Sequence, residues 1–220
     1  MFRFDLYTLI ARVIVLLTAI PVHEAAHAWA ADKLGDPTAR YRGRLTLNPM
    51  AHFDPIGSVA MLLTGIGWAK GVPINPINFD DRKKGMALSA AAGPAANILM
   101  ATVSLIITKI IVYIGYRSGF GMFMGTLYTL FSAMCSINIS LAIFNLLPIP
   151  PFDGSRIFNY FLSDKFYFKI MEYEQYIFMG LLVLLYIGVF DIPLAFLNGI
   201  VYFLLDKLTF IVDVAFRFII

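Results

Sequence analysis

Several stretches of this chain run about 18 or more residues with few or no charges, each long enough to cross a hydrocarbon layer of about 30 Å as a helix. A soluble chain of 220 residues could bury one core, but not this many uninterrupted apolar helices. Composition agrees: 60% of residues are hydrophobic and 14% charged, where soluble proteins carry about 25% charged. The mean hydropathy is +0.78. These features describe an all-α polytopic membrane protein.

The periodic segments set the expected layout. A first helix runs from about Leu6 to Ala31 and stops ahead of Gly35 and Asp36-Pro37. The apolar stretch Ile56 to Ile66 is too short to cross at about 1.5 Å per residue. Trp68 to Asp81 alternates Gly, Pro and Asn with β-branched residues, as a loop or short hairpin does. Long helical patterns cover Lys84 to Tyr116 and Met122 to Leu147, the second stopped by Pro148, Pro150 and Pro151. Tyr176 to Phe190 and Leu194 to Leu205 add two apolar stretches. The expectation is about five to six transmembrane helices with a short re-entrant or hairpin segment around 56–80. No composition shift divides residues 1–220, so one membrane-embedded domain is expected, with a core over about 6–160 and C-terminal helices over 176–220. The apolar run before Ala26-His27-Ala28 is too long for the h-region of a signal peptide.

Charge orients this layout. Basic residues cluster at Lys33 to Arg44, at Lys70 to Lys84 and at Arg156 to Lys169, while the turn from Tyr116 to Gly121 carries only Arg117. Positive loops face the cytoplasm, so the three clusters lie inside and that turn outside. Ile56 to Ile66, flanked by two inside segments, should dip into the membrane and return. The N-terminus is then expected outside and the C-terminus inside. The net charge of +3 comes without basic residues interleaved with aromatics, which disfavours nucleic acid as a partner. The lone Cys135 excludes an intramolecular disulfide framework and a multi-cysteine metal site.

His23-Glu24-Ala25-Ala26-His27 forms an H-E-x-x-H pattern inside the first apolar helix. Residues i and i+4 share a helix face, so both imidazoles can bind one Zn²⁺ with Glu24 beside them as a base. Ionisable side chains inside a membrane helix are costly and mark functional sites. A third ligand is needed. His52 is one candidate, the last of three histidines, and Asp153 is the other. On the expected topology Asp153 lies at the same depth as the histidine pair. Asn138 and Asn145 could support the site or join helices, and interhelical hydrogen bonding suits Asn138 better.

Taken together these residues resemble the site-2 proteases, intramembrane zinc metalloproteases with an H-E-x-x-H helix and a later Asp-Gly segment. Pro151-Phe152-Asp153-Gly154 matches the second signature, and Leu47–Gly57, Gly67-Trp68-Ala69-Lys70 and Ala92–Asn97 match further stretches of the small bacterial members in family order. Gly71 stands where the family pattern has proline. The resemblance covers about residues 6 to 160. It implies one zinc held by His23, His27 and Asp153, with Glu24 as catalytic base and then acid. It also implies that Asn97 assists the substrate carbonyl and that Gly67, Trp68 and Asn97 contact substrate. His52 then orders a loop. Expected partners are the bilayer and a transmembrane protein or peptide substrate, in a multi-pass cell-membrane protein with its site near the cytoplasmic side; a homo-oligomer is left open. Two other classes compete: a membrane zinc transporter or sensor, and a non-catalytic scaffold using the same ligands.

Overall fold

The computed structural model describes residues 6–64 and 67–217. Gly65 and Ile66, the end of one expected apolar stretch, and residues 218–220 lie outside the described residues. Every regular element described is helical, with no strand among the described residues.

The first crossing combines α1 (Leu6–Leu17) and α2 (Ala19–Lys33). Pro21 has no N–H to offer the carbonyl of Leu17, and the two helices meet at Thr18, whose hydroxyl bonds Ile14 O at 2.7 Å. Two one-turn helices, α3 (Thr38–Tyr41) and α4 (Pro49–His52), lead to α5 (Pro55–Thr64). The second and third crossings are α6 (Arg82–Ser118) and α7 (Met122–Asn145), joined through Gly119, whose positive φ of 88° ends α6. Then follow α8 (Asp153–Asn159), α9 (Asp164–Glu172), α10 (Glu174–Tyr186), α11 (Asp191–Leu208) and α12 (Phe210–Arg217).

Arg12–Lys33, α6 and α7 are long and apolar enough to cross a membrane, and α10 is a shorter apolar helix. The protein is thus an all-α polytopic membrane protein. These are three of the five to six crossings expected from the sequence, and among the described residues the C-terminal part adds the shorter α10 and the 18-residue α11. At 13 residues α10 spans only about 20 Å, while α11 carries Asp191, Asp206 and Lys207.

Lys109, nine residues before the end of α6, pairs with Asp206 at 2.8 Å and Asp213 at 2.7 Å, and Tyr113 donates to Asp213 at 3.0 Å. The C-terminal helices therefore end beside the α6 C-terminus.

Small residues let α2 and α6 lie close: Ala28, Ala31 and Ala90 are fully or almost fully buried. A second core joins Val15, Ala19 and Met61 with Ile137 and Leu141, which seats α5 against α1, α2 and α7. Arg12 holds the far end of α5, with Nη1 donating to Leu62 O at 2.8 Å and Leu63 O at 3.3 Å. Last-turn carbonyls of a helix have no partner within it, and a cation there satisfies them and the helix dipole.

No hairpin ladder forms over 67–80. The segment is irregular up to a 3-10 turn at Pro76–Asn78, and its backbone bonds side chains and isolated carbonyls: Lys70 N meets His52 O at 3.0 Å, Val72 N meets Glu24 Oε2 at 2.9 Å and Asn75 N meets Asp36 Oδ2 at 2.7 Å. Pro73 and Pro76 have no N–H to give a partner strand. With Trp68 lying against Gly57, α5 and this segment form a helix-and-loop re-entrant unit.

Asp36, fully buried, anchors the far end of the segment. Its carboxylate also accepts from Thr38 N at 3.1 Å, Thr38 Oγ1 at 2.5 Å and Asn78 Nδ2 at 2.6 Å. Burial alone would raise its pKa, but these donors outweigh it and hold the group below the ordinary 3.8. A depressed folded-state pKa gives stability that is present above the unfolded value and lost as pH falls through the folded one. Thermal unfolding in detergent should therefore show Tm falling below about pH 4, and Asp36→Asn should lower Tm at neutral pH while flattening that acid limb.

Candidate metal centre

The histidines occupy one face of α2, buried at 9% and 6% relative exposure. Their rings pack edge to face, with centroids 4.5 Å apart and planes at 87°. Both Nε2 atoms turn inward, 2.9 Å from each other, and each lies 3.2 Å from Asp153 Oδ2. The three ligand atoms fall within 4.8 Å of one another. The structure thus brings His23, His27 and Asp153 together.

Each residue arrives by a separate device. Asp153 opens α8 directly after the Pro148–Phe152 turn that stops α7. Gly154 is required behind it, because a Cβ there would overlap the carbonyls of Leu146 and Leu147. Gly93 on α6 faces the imidazoles, and a Cβ there would run into both rings. One helical turn away on that face, the Ser89 carbonyl lies 2.8 Å from His27 Nδ1. A carbonyl only accepts, so His27 carries a proton on Nδ1, which in the neutral ring leaves the lone pair on Nε2. Asn97, one turn further, sets Oδ1 2.5 Å from His23 Nδ1.

Electrostatics fits this donor set to a cation. Asp153 is largely buried, which favours its neutral form, yet its contacts to His23 and His27 draw the carboxyl well below the ordinary range. Two imidazole nitrogens and a carboxylate oxygen that converge repel unless protons lie between them or a positive centre joins them. Tetrahedral Zn²⁺ takes such ligands and leaves one position open.

Glu24 sits beside the pair with Oε2 held by Val72 N. It lines, with the three ligands, a cavity of about 670 Å³. Ile20, Leu141 and Phe144 form one apolar wall, and Phe178, Leu181, Leu182 and Leu185, at i, i+3, i+4 and i+7 of α10, form another. Gly67, Trp68 and Val72 close a third side, and Arg156, Glu174 and Gln175 add polar groups.

Asn97, expected at the substrate, is off the cavity wall. It is fully buried, with Oδ1 on His23 and Nδ2 donating to Asn138 Oδ1 at 3.0 Å, so both ends of the amide are engaged. His52 stands apart from the three ligands, its Nε2 on Thr46 O at 2.9 Å and its Nδ1 facing Arg44 Nη2 at 3.4 Å. Arg44 also donates to Lys70 O, so this pair orders the re-entrant segment. Sequence reasoning missed the Ser89 carbonyl and the cavity face of α10. Ser89, Gly93 and Asn97 share one helix face by their spacing of four, which was a legible signal; the depth at which α10 settles had none.

A family model for peptidase family M50 matches residues 11–187. The chain belongs to peptidase family M50. It is therefore a metalloprotease of the site-2 protease type. The protein named "Putative zinc metalloprotease YwhC" from Bacillus subtilis (strain 168) is 37% identical over 172 residues, which cover 78% of each chain. "Putative zinc metalloprotease Rip2" from Mycolicibacterium smegmatis is 29% identical over 177 residues, covering 77% of this chain and 64% of that one. Its namesake from Mycobacterium tuberculosis (strain H37Rv) is 26% identical over 195 residues, covering 86% and 71%. No solved structure matches the chain.

Gly93→Ala should cost the M50 centre its metal, since a methyl there displaces both rings. Zinc per chain by inductively coupled plasma mass spectrometry should drop from about one to well under half, as it should for Asp153→Ala, while His52→Ala keeps its zinc.

Proposed function

We propose that this chain cleaves peptide bonds within or near transmembrane segments of membrane-protein substrates, using one zinc held by His23, His27 and Asp153. One observation carries the reading: the convergence of those three ligand atoms, beside Glu24, on an apolar-walled cavity inside a membrane-spanning bundle. Bound there, zinc supplies Lewis acidity that lowers the pKa of water to about 7 and polarises a carbonyl.

The remaining chemistry belongs to the chain. Glu24 takes the proton of the attacking water on Oε1, the oxygen not engaged by Val72, and passes it to the leaving amine. Ile20, Phe144 and the α10 leucines receive apolar substrate side chains and thin out bulk water around the carboxylate. A helical substrate shields its peptide bonds, so it must unwind to be cut. The Gly67–Ile74 segment, tied down through Lys70, Val72 and Asn75, offers backbone for the unwound stretch to pair with. Asn97 acts through His23 and not on the substrate carbonyl. The basic segments beside the site support a position near the cytoplasmic side of the cell membrane.

Glu24→Gln keeps the ligands and removes the base. Cleavage of a model transmembrane substrate in detergent or liposomes should fall by about 10²- to 10⁴-fold with zinc content unchanged. Undiminished cleavage would remove Glu24 from the mechanism, and zinc transport that survives the substitution would favour a carrier using the same ligands.

A further inference from the structure

Asn97 alone does not decide the state of His23. A primary amide can turn either its oxygen or its NH₂ toward a neighbour, and the two choices leave opposite tautomers on an adjoining imidazole. The decision is made one residue further out. Asn138 on α7 places Nδ2 2.8 Å from the carbonyl of Met134, and that carbonyl can only accept. Asn138 must therefore turn Oδ1 to its other neighbour, Asn97, which meets it with Nδ2 at 3.0 Å. Asn97 is left with Oδ1 toward His23, and His23 Nδ1 must carry the proton. Its Nε2 lone pair then faces Asp153.

We propose that Asn138 is a positioning residue for the metal centre, fixing through Asn97 the His23 tautomer that presents a lone pair to zinc. This rests on the zinc-protease reading for its purpose, but its geometry stands without it. Asn97 and Asn138 are fully buried and His23 is 9% exposed, so bulk water is not at hand to replace a link in the relay. The two histidines are set by different means: His27 by the Ser89 carbonyl directly, and His23 by two amides in series that start from a carbonyl on another helix. The interhelical hydrogen bond expected of Asn138 is present, and its direction is what matters to the metal. Partners of this kind orient metal-binding histidines, and their loss typically weakens binding about 10- to 100-fold.

The 220-residue chain labelled with ¹⁵N-histidine has three histidines to resolve. In detergent micelles, before and during a zinc titration, ¹⁵N shifts separate protonated from lone-pair nitrogens, and chelator competition gives the zinc affinity. Wild type should show His23 protonated at Nδ1. Asn138→Leu should turn His23 into a tautomer mixture and weaken zinc about 10- to 100-fold, with His27 unchanged. Asn138→Asp keeps an oxygen toward Asn97 in either protonation state, so it should hold the wild-type tautomer and lie within a few-fold of wild-type affinity. A folded Asn138→Leu with His23 and zinc binding unchanged overturns the proposal, and so does a folded Asn138→Asp that loses both. Should Asn138→Leu not fold, the Asp variant decides. Failure to cleave any substrate, with the tautomer result intact, would count against the protease reading alone.

Discussion

Two imidazole lone pairs and a carboxylate aimed at one point inside a membrane bundle are unstable by themselves. Much of the architecture can be understood as what makes that convergence tolerable. In low dielectric such groups cannot be left to water, so each is held from behind: His27 by a main-chain carbonyl, His23 by an amide and Asp153 by its position at the head of a short helix. Close approach of α2 and α6 is the precondition, and it depends on alanines along the seam and on Gly93. A bulkier side chain at that glycine would move the rings before it touched anything else.

A second constraint links the centre to the cavity. The re-entrant unit is not built as a sheet. Its backbone is tied to Asp36, His52, Arg44 and Glu24, residues spread over the first part of the chain. The tie to Glu24 puts the segment proposed to pair with substrate in direct hydrogen-bond contact with the proposed base, so the two cannot move independently. Arg12 performs a comparable service at the far end of α5, where helix carbonyls would otherwise end unpaired.

How much of this could be read beforehand follows from which interactions are local. The spanning helices and H-E-x-x-H were legible because both are periodic patterns within a single element. Asp153 could be narrowed to one of two candidates by depth, and the family resemblance singled it out. What Asn97 bonds was not legible, because spacing reports only the shared face of Gly93 and Asn97. The orientation of an amide depends on a second amide 41 positions away. The hairpin was expected from Gly, Pro and β-branched alternation, a pattern that marks extended backbone without saying what will pair with it. The C-terminal stretches were legible as two apolar segments, but hydropathy carries no information about which neighbours they pack against. The pairing of Lys109 with Asp206 and Asp213 decides that instead.

X-ray absorption at the zinc edge of the purified, zinc-loaded chain tests the ligand set most directly. The account predicts a first shell of nitrogen and oxygen only, with two imidazoles at about 2.0–2.1 Å and carboxylate oxygen at about 2.0–2.2 Å. A third imidazole, which only His52 could supply, or a sulfur at about 2.3 Å from Cys135, would contradict it.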